Sequence, residues 1–128
     1  MNIKDQTSFN NTVRKFNIYG ITKYKNALRY RPPESEKHFM AKARMAYLIN
    51  KAGFTYVTEF PIPGRTGHNI FDLCIIDYRT ESLIGVEIRE TETDKQTSKK
   101  IERLNKDIVL IPLGVHEAMQ IKSAEDIL

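Results

Sequence analysis

Two short apolar runs organise residues 70–90: I-F-D-L-C-I-I-D and, after the polar break Y-R-T-E-S, L-I-G-V-E-I-R-E. Both are rich in Ile and Val and flanked by turn-type residues, so they predict a strand, a tight connection and a second strand. Strand side chains alternate between faces. In the second run Ile84, Val86 and Ile88 share one face, and Gly85, Glu87 and Arg89 share the other; in the first, Asp72 shares its face with Ile70, Cys74 and Ile76. Upstream, Pro32-Pro33 introduces a helix over 34–52 that stops at Lys51 and Gly53. Its apolar side chains are Phe39, Met40, Ala43, Ala46 and Tyr47, and Glu36, three and four positions before Phe39 and Met40, falls on the inward face. Residues 54–60, F-T-Y-V-T-E-F, read as a strand by aromatic and β-branched content. Pro61 and Pro63 end it, and P-G-R-T-G-H-N forms a basic loop.

Downstream, Thr93 and Gln96 form a capping box for a helix over 94–105, with Thr97, Ile101 and Leu104 inward. Residues 107–112 form a buried strand that ends at Pro112, and residues 114–128 form a short amphipathic terminal helix available for core packing or a homodimer contact. The pattern predicts an α/β fold with a central mixed four- to five-stranded sheet flanked by helices.

Composition narrows this modestly. The 128 residues suit one folded unit; 41% hydrophobic and 28% charged residues are ordinary for a globular protein. No apolar run approaches about 20 residues, so no transmembrane helix is expected. The opening M-N-I-K-D-Q-T lacks a secretory pattern, and the single cysteine, Cys74, excludes an internal disulfide, so a cytoplasmic, intracellular protein is expected. Net charge is +4 and the pI is near 9.2, which permits a polyanionic partner. Residues 1–33 divide from 34–128 as a basic, aromatic arm: Lys23, Lys25, Arg29 and Arg31 are interleaved with Phe16, Tyr19, Tyr24 and Tyr30. Bases neutralise phosphates and rings stack on unpaired bases, so the arm is a candidate nucleic-acid contact; the alternative is a packed N-terminal helix with solvated lysines. His38, Lys42, Arg65 and His68 are further candidates for contact with DNA. The glycines beside Arg65 and His68 would let backbone approach a phosphate.

Asp72 and Glu87 sit in adjacent predicted strands. If they face the same side, two like charges approach each other, and a bound divalent cation is the usual compensation. At these residues the chain resembles the PD-(D/E)XK nuclease superfamily: Asp72 matches the first acid and Glu87 the second, while Arg89 stands where that family usually has lysine. The likeness extends over residues 33–114 and implies an αβββαβ restriction-endonuclease-like core. It implies Mg²⁺ (or Mn²⁺) held by Asp72, Glu87 and the carbonyl of Ile88. It also implies a helix glutamate, matched by Glu36 with Glu34 as rival, and assistance from Gln96 and Lys100 on the following helix. The activity implied is metal-dependent hydrolysis of DNA phosphodiester bonds, by an endonuclease or junction resolvase. Arg89 cannot act as a base because guanidinium stays protonated, though it can clamp phosphate. If it replaces the lysine outright, Lys100 takes the role or the metal carries most of it. The alternative is a catalytically inactive nuclease-fold module that binds DNA or another protein.

Overall fold

The computed structural model describes residues 2–90 and 107–128. A four-stranded mixed sheet is covered by helices on both faces. Its strands are β1 (Thr55–Val57), β4 (Leu73–Asp77), β5 (Ser82–Arg89) and β6 (Ile108–Gly114), in the spatial order β1-β4-β5-β6. The first three are antiparallel neighbours and β6 joins β5 in parallel. The β5–β6 connection, and with it the helix expected over 94–105 with Gln96 and Lys100, lies outside the described residues. A second, two-stranded sheet pairs β2 (Pro61–Pro63) with β3 (His68–Ile70).

The two faces of the main sheet follow strand parity. Cys74, Ile76 and Leu83 meet Phe9, Phe16, Ile18 and Ile21, which belong to helix α1 (Ile3–Phe16) and the turn after it. Leu73, Ile75, Val86 and Ile88 meet Ala41, Met45 and Ile49 of helix α2 (Glu36–Lys51) and Ala118 of helix α3 (Val115–Gln120). Strands buried on both sides read as near-continuous apolar runs, which is why β4 and β5 stand out in the sequence.

Several expectations change. Residues 2–31 are not a detached arm: α1 forms one covering layer of the same core, and Phe9 and Phe16 are fully enclosed. The strand expected over 54–60 ends at Val57. Thr58 turns its hydroxyl to the Ala27 carbonyl, and Glu59 adopts a left-handed backbone, φ 54°, whose carbonyl accepts from the Arg29 guanidinium at 2.7 Å. The strand expected from Ile70 is broken at Phe71–Asp72. Ile70 belongs to the small hairpin and is 56% exposed, while β4 begins at Leu73. Phe71 folds over Gly85, where an added Cβ would meet its ring at 2.8 Å, so glycine is required for that approach.

Candidate metal centre

The first turn of α2 sets the local geometry. Ser35 is the N-cap: its hydroxyl accepts from the His38 amide at 3.1 Å and donates to Glu90 at 2.8 Å. Glu34 therefore precedes the helix, and its side chain turns back along the stripe of His38 and Lys42 at successive four-residue steps. Glu36 lies off that stripe and is exposed, whereas Glu34 is buried. The inward helix acid is Glu34, not Glu36. Met40 and Tyr47, expected inward, are 50% and 61% exposed.

Lys42 and His38 were candidates for direct contact with DNA; both are buried inside the fold. The Lys42 side chain is fully enclosed. Its ammonium donates to the Arg29 carbonyl at 2.7 Å and to both Glu34 oxygens at 2.9 Å, and lies 3.4 Å from Glu59 Oε1. Glu34 also takes His38 Nδ1 at 2.8 Å. Burial pushes the Glu34 carboxyl up, but hydrogen bonds from Lys42, His38 and the Arg31 amide together bring it below the ordinary glutamate value.

The other edge of the imidazole faces the sheet. His38 Nε2 lies 3.0 Å from the Ile88 carbonyl and 3.3 Å from Asp72 Oδ1. The second Asp72 oxygen, Oδ2, accepts the Ile88 N–H at 2.7 Å. Asp72 thus takes a ladder bond from β5 where β4 has stopped, which holds its carboxylate in place. Glu87, 6% exposed, follows Val86 on β5 and takes the strand face of Gly85, whereas Asp72 meets His38 on the α2 side; the Asp72–Glu87 metal pair expected from the sequence is not formed as one cluster. Among the described residues no three His, Cys, Asp or Glu side chains cluster closely enough to hold an ion. What converges on one point is two side chains and a backbone carbonyl.

That convergence has a donor deficit. Ionised Glu34 only accepts, so Nδ1 carries a proton. Nε2 then faces two further acceptors, Ile88 O and Asp72 Oδ1. Either the ring bears a second proton there, or the Nε2 lone pair shares a cation with the two oxygens. The separations of 3.0 and 3.3 Å are those of a hydrogen bond and an ion pair in the first case, and they also admit the second. Ligand atoms about 2.1 Å from one octahedral ion and at right angles lie about 3 Å apart. Imidazole, carboxylate and carbonyl are all fit donors for a divalent metal. Sequence reasoning missed His38 as part of this cluster. The signal was the series 38, 41, 42, 45 and 49, a helical face on which Ala41, Met45 and Ile49 are apolar.

The remaining candidates divide by exposure. Lys23, Arg31, Arg65 and His68 are exposed. Lys25 is half-buried, its ammonium 5.2 Å from the Phe9 ring centroid. Arg29 is half-buried and spends its guanidinium on the carbonyls of Thr58 and Glu59. Arg89 is half-buried and lines a groove of about 660 Å³ with Lys37, Met40, His116 and Met119, next along the chain from Ile88 and His38. No family model, no curated protein and no solved structure matches this chain.

Proposed function

We propose that the protein is a metal-dependent nuclease that hydrolyses DNA phosphodiester bonds, with its ion held by Asp72 Oδ1, the Ile88 carbonyl and His38 Nε2. The observation that carries this reading is the meeting of those three atoms at 3.0 and 3.3 Å around a histidine whose other nitrogen is committed to Glu34. Glu87 is a second buried acid on β5, but it takes the Gly85 face and not the one that α2 covers, so it stands outside this donor set. A divalent ion bound there would lower the pKa of its water and offset charge on the scissile phosphate.

The chain's own groups do the rest. Asp72 is locked by the Ile88 N–H on Oδ2, so Oδ1 keeps one direction, toward His38 Nε2. Arg89 and Lys37 in the adjoining groove are cations placed for phosphates flanking the cut. The hairpin of β2 and β3 leads directly to Asp72 and presents exposed Arg65 and His68. Cutting two strands symmetrically would require two copies, hence a homodimer on DNA.

A second reading rests on one specific alternative. If Nε2 carries its own proton, His38 hydrogen-bonds both Ile88 O and Asp72, the cluster needs no ion, and the protein binds DNA or a protein without cutting. Arg89 in place of a lysine favours this. The two readings separate in a nicking assay on plasmid and branched DNA with Mg²⁺ or Mn²⁺. The nuclease reading expects metal-dependent cutting that falls to the buffer blank in Asp72→Ala and His38→Ala. Wild type cutting no better than Asp72→Ala overturns it.

A further inference from the structure

The side chains of Glu34 and Lys42 are closed off from solvent, yet every polar atom in the pair is aimed. The three ammonium protons of Lys42 have the Arg29 carbonyl, the Glu34 carboxylate and Glu59 Oε1 as acceptors, so this cation is spent on holding its neighbours. Glu34 receives Lys42 on both oxygens and presents Oε2 to His38 Nδ1. Burying such a pair is costly and seldom stabilises a fold relative to apolar side chains of similar size. A use for it is therefore needed, and the imidazole is where it ends.

We propose that Glu34 and Lys42 are positioning residues for His38: Lys42 orients the Glu34 carboxylate, the carboxylate keeps the proton on Nδ1, and Nε2 is left facing Asp72 and Ile88 O as a metal-ligand atom. The inference rests on the metal-centre reading above and adds the group that sets the ligand's tautomer. A histidine ligand whose far nitrogen donates to a carboxylate is held in orientation and made more basic toward the ion. A nitrogen in the donor set also makes the site tighter for Co²⁺ than for Mg²⁺.

The tautomer is read directly on metal-free protein carrying ¹⁵N-labelled histidine, from the two ring-nitrogen shifts of His38 at pH 8. The expected result in wild type is a protonated Nδ1 beside a bare Nε2, and a ring protonated on both nitrogens overturns the proposal. In Glu34→Gln the amide oxygen must turn to Lys42, so its NH₂ points at Nδ1 and donates. The proton then belongs on Nε2, and the two nitrogen shifts exchange. A wild-type His38 with bare Nδ1, or a folded Glu34→Gln protein whose shifts keep the wild-type order, overturns the proposal. The wild-type spectrum decides it even if the variant does not fold. Calorimetric titration with Co²⁺ gives a second readout: Glu34→Gln and Lys42→Met each weaken binding about 10- to 100-fold, and unchanged affinity in both overturns the proposal. Failure here is separable from failure of the nuclease reading. A protein that cuts DNA with Nδ1 bare sinks the positioning role alone. One that shows the expected tautomer but never cuts sinks the activity alone.

Discussion

Three side chains at four-residue steps, Glu34 just before α2 and His38 and Lys42 within it, carry most of the unusual chemistry of this protein. Lys42 is the sharpest case, since an enclosed ammonium is tolerated only while its acceptors remain. Lys42→Met leaves the Glu34 carboxylate buried without its cation and is expected to destabilise the fold by about 3–5 kcal/mol, read as a shift of the urea midpoint. Glu34 also ties stability to pH. Its folded-state carboxyl lies below the ordinary value of 4.5, so its contribution is present above that value and is lost as pH falls through the lowered folded one. Urea midpoints measured from pH 6 downward should drop on the acid side, with a visibly shallower drop in Glu34→Gln. Cys74 behaves oppositely. Burial pushes its thiol up to about 12, so at pH 8 iodoacetamide should leave it unmodified in native protein and alkylate it in urea.

Strands and turns here are cut where side chains take over backbone work. Asp72 accepts the Ile88 N–H in place of a ladder carbonyl, and β4 starts one residue later. Arg29 binds the carbonyls of Thr58 and Glu59, and β1 ends before them. Between these breaks Phe71 crosses the sheet face above Gly85. Gly85→Ala drives a methyl into the ring and is expected to cost about 1–3 kcal/mol in thermal or urea unfolding. The same residue change paired with Phe71→Leu should recover part of the loss, because the obstacle is the ring and not the backbone. The apolar runs of β4 and β5 were legible as strands because both faces are buried. The interruption at Phe71–Asp72 was not, because nothing in a strand-period pattern says that a side chain will replace a ladder bond.

In the molecule as a unit, the N-terminal segment matters most for how the rest is read. Charge and aromatic interleaving left residues 1–33 open between a nucleic-acid-contacting arm and a packed N-terminal helix, and Phe9, Phe16, Ile18 and Ile21 close one face of the sheet. A chain starting at residue 34 would expose Val57, Phe71, Cys74, Ile76 and Leu83 along that face. It is expected to be insoluble or to lack a cooperative melt, whereas two nearly independent parts would leave the 34–128 piece folded. Basic residues are redistributed by the same packing. Lys23, Arg31 and Arg65 stay at the surface, while Lys42 is consumed internally and Arg29 serves the β1 edge. Among the described residues no helix is long and apolar enough to cross a membrane.

Local pattern sufficed for whatever depends on period and punctuation. The α/β architecture, the antiparallel β4–β5 pair, the placement of α2 between Pro33 and Gly53, and the burial of Asp72 and Glu87 all follow from apolar spacing and turn residues along the chain. Which polar groups Asp72 and His38 meet followed from contacts between residues 16 to 50 positions apart, while the inward turn of Glu34 lies in its contacts with His38 and Lys42, four and eight positions on. Polar side chains on a buried stripe look the same as solvated ones until their partners are brought up against them. His38 and Lys42 disguised the inward face of α2, and only the closing of that helix over β5 turned them from surface bases into the internal supports of a candidate metal centre.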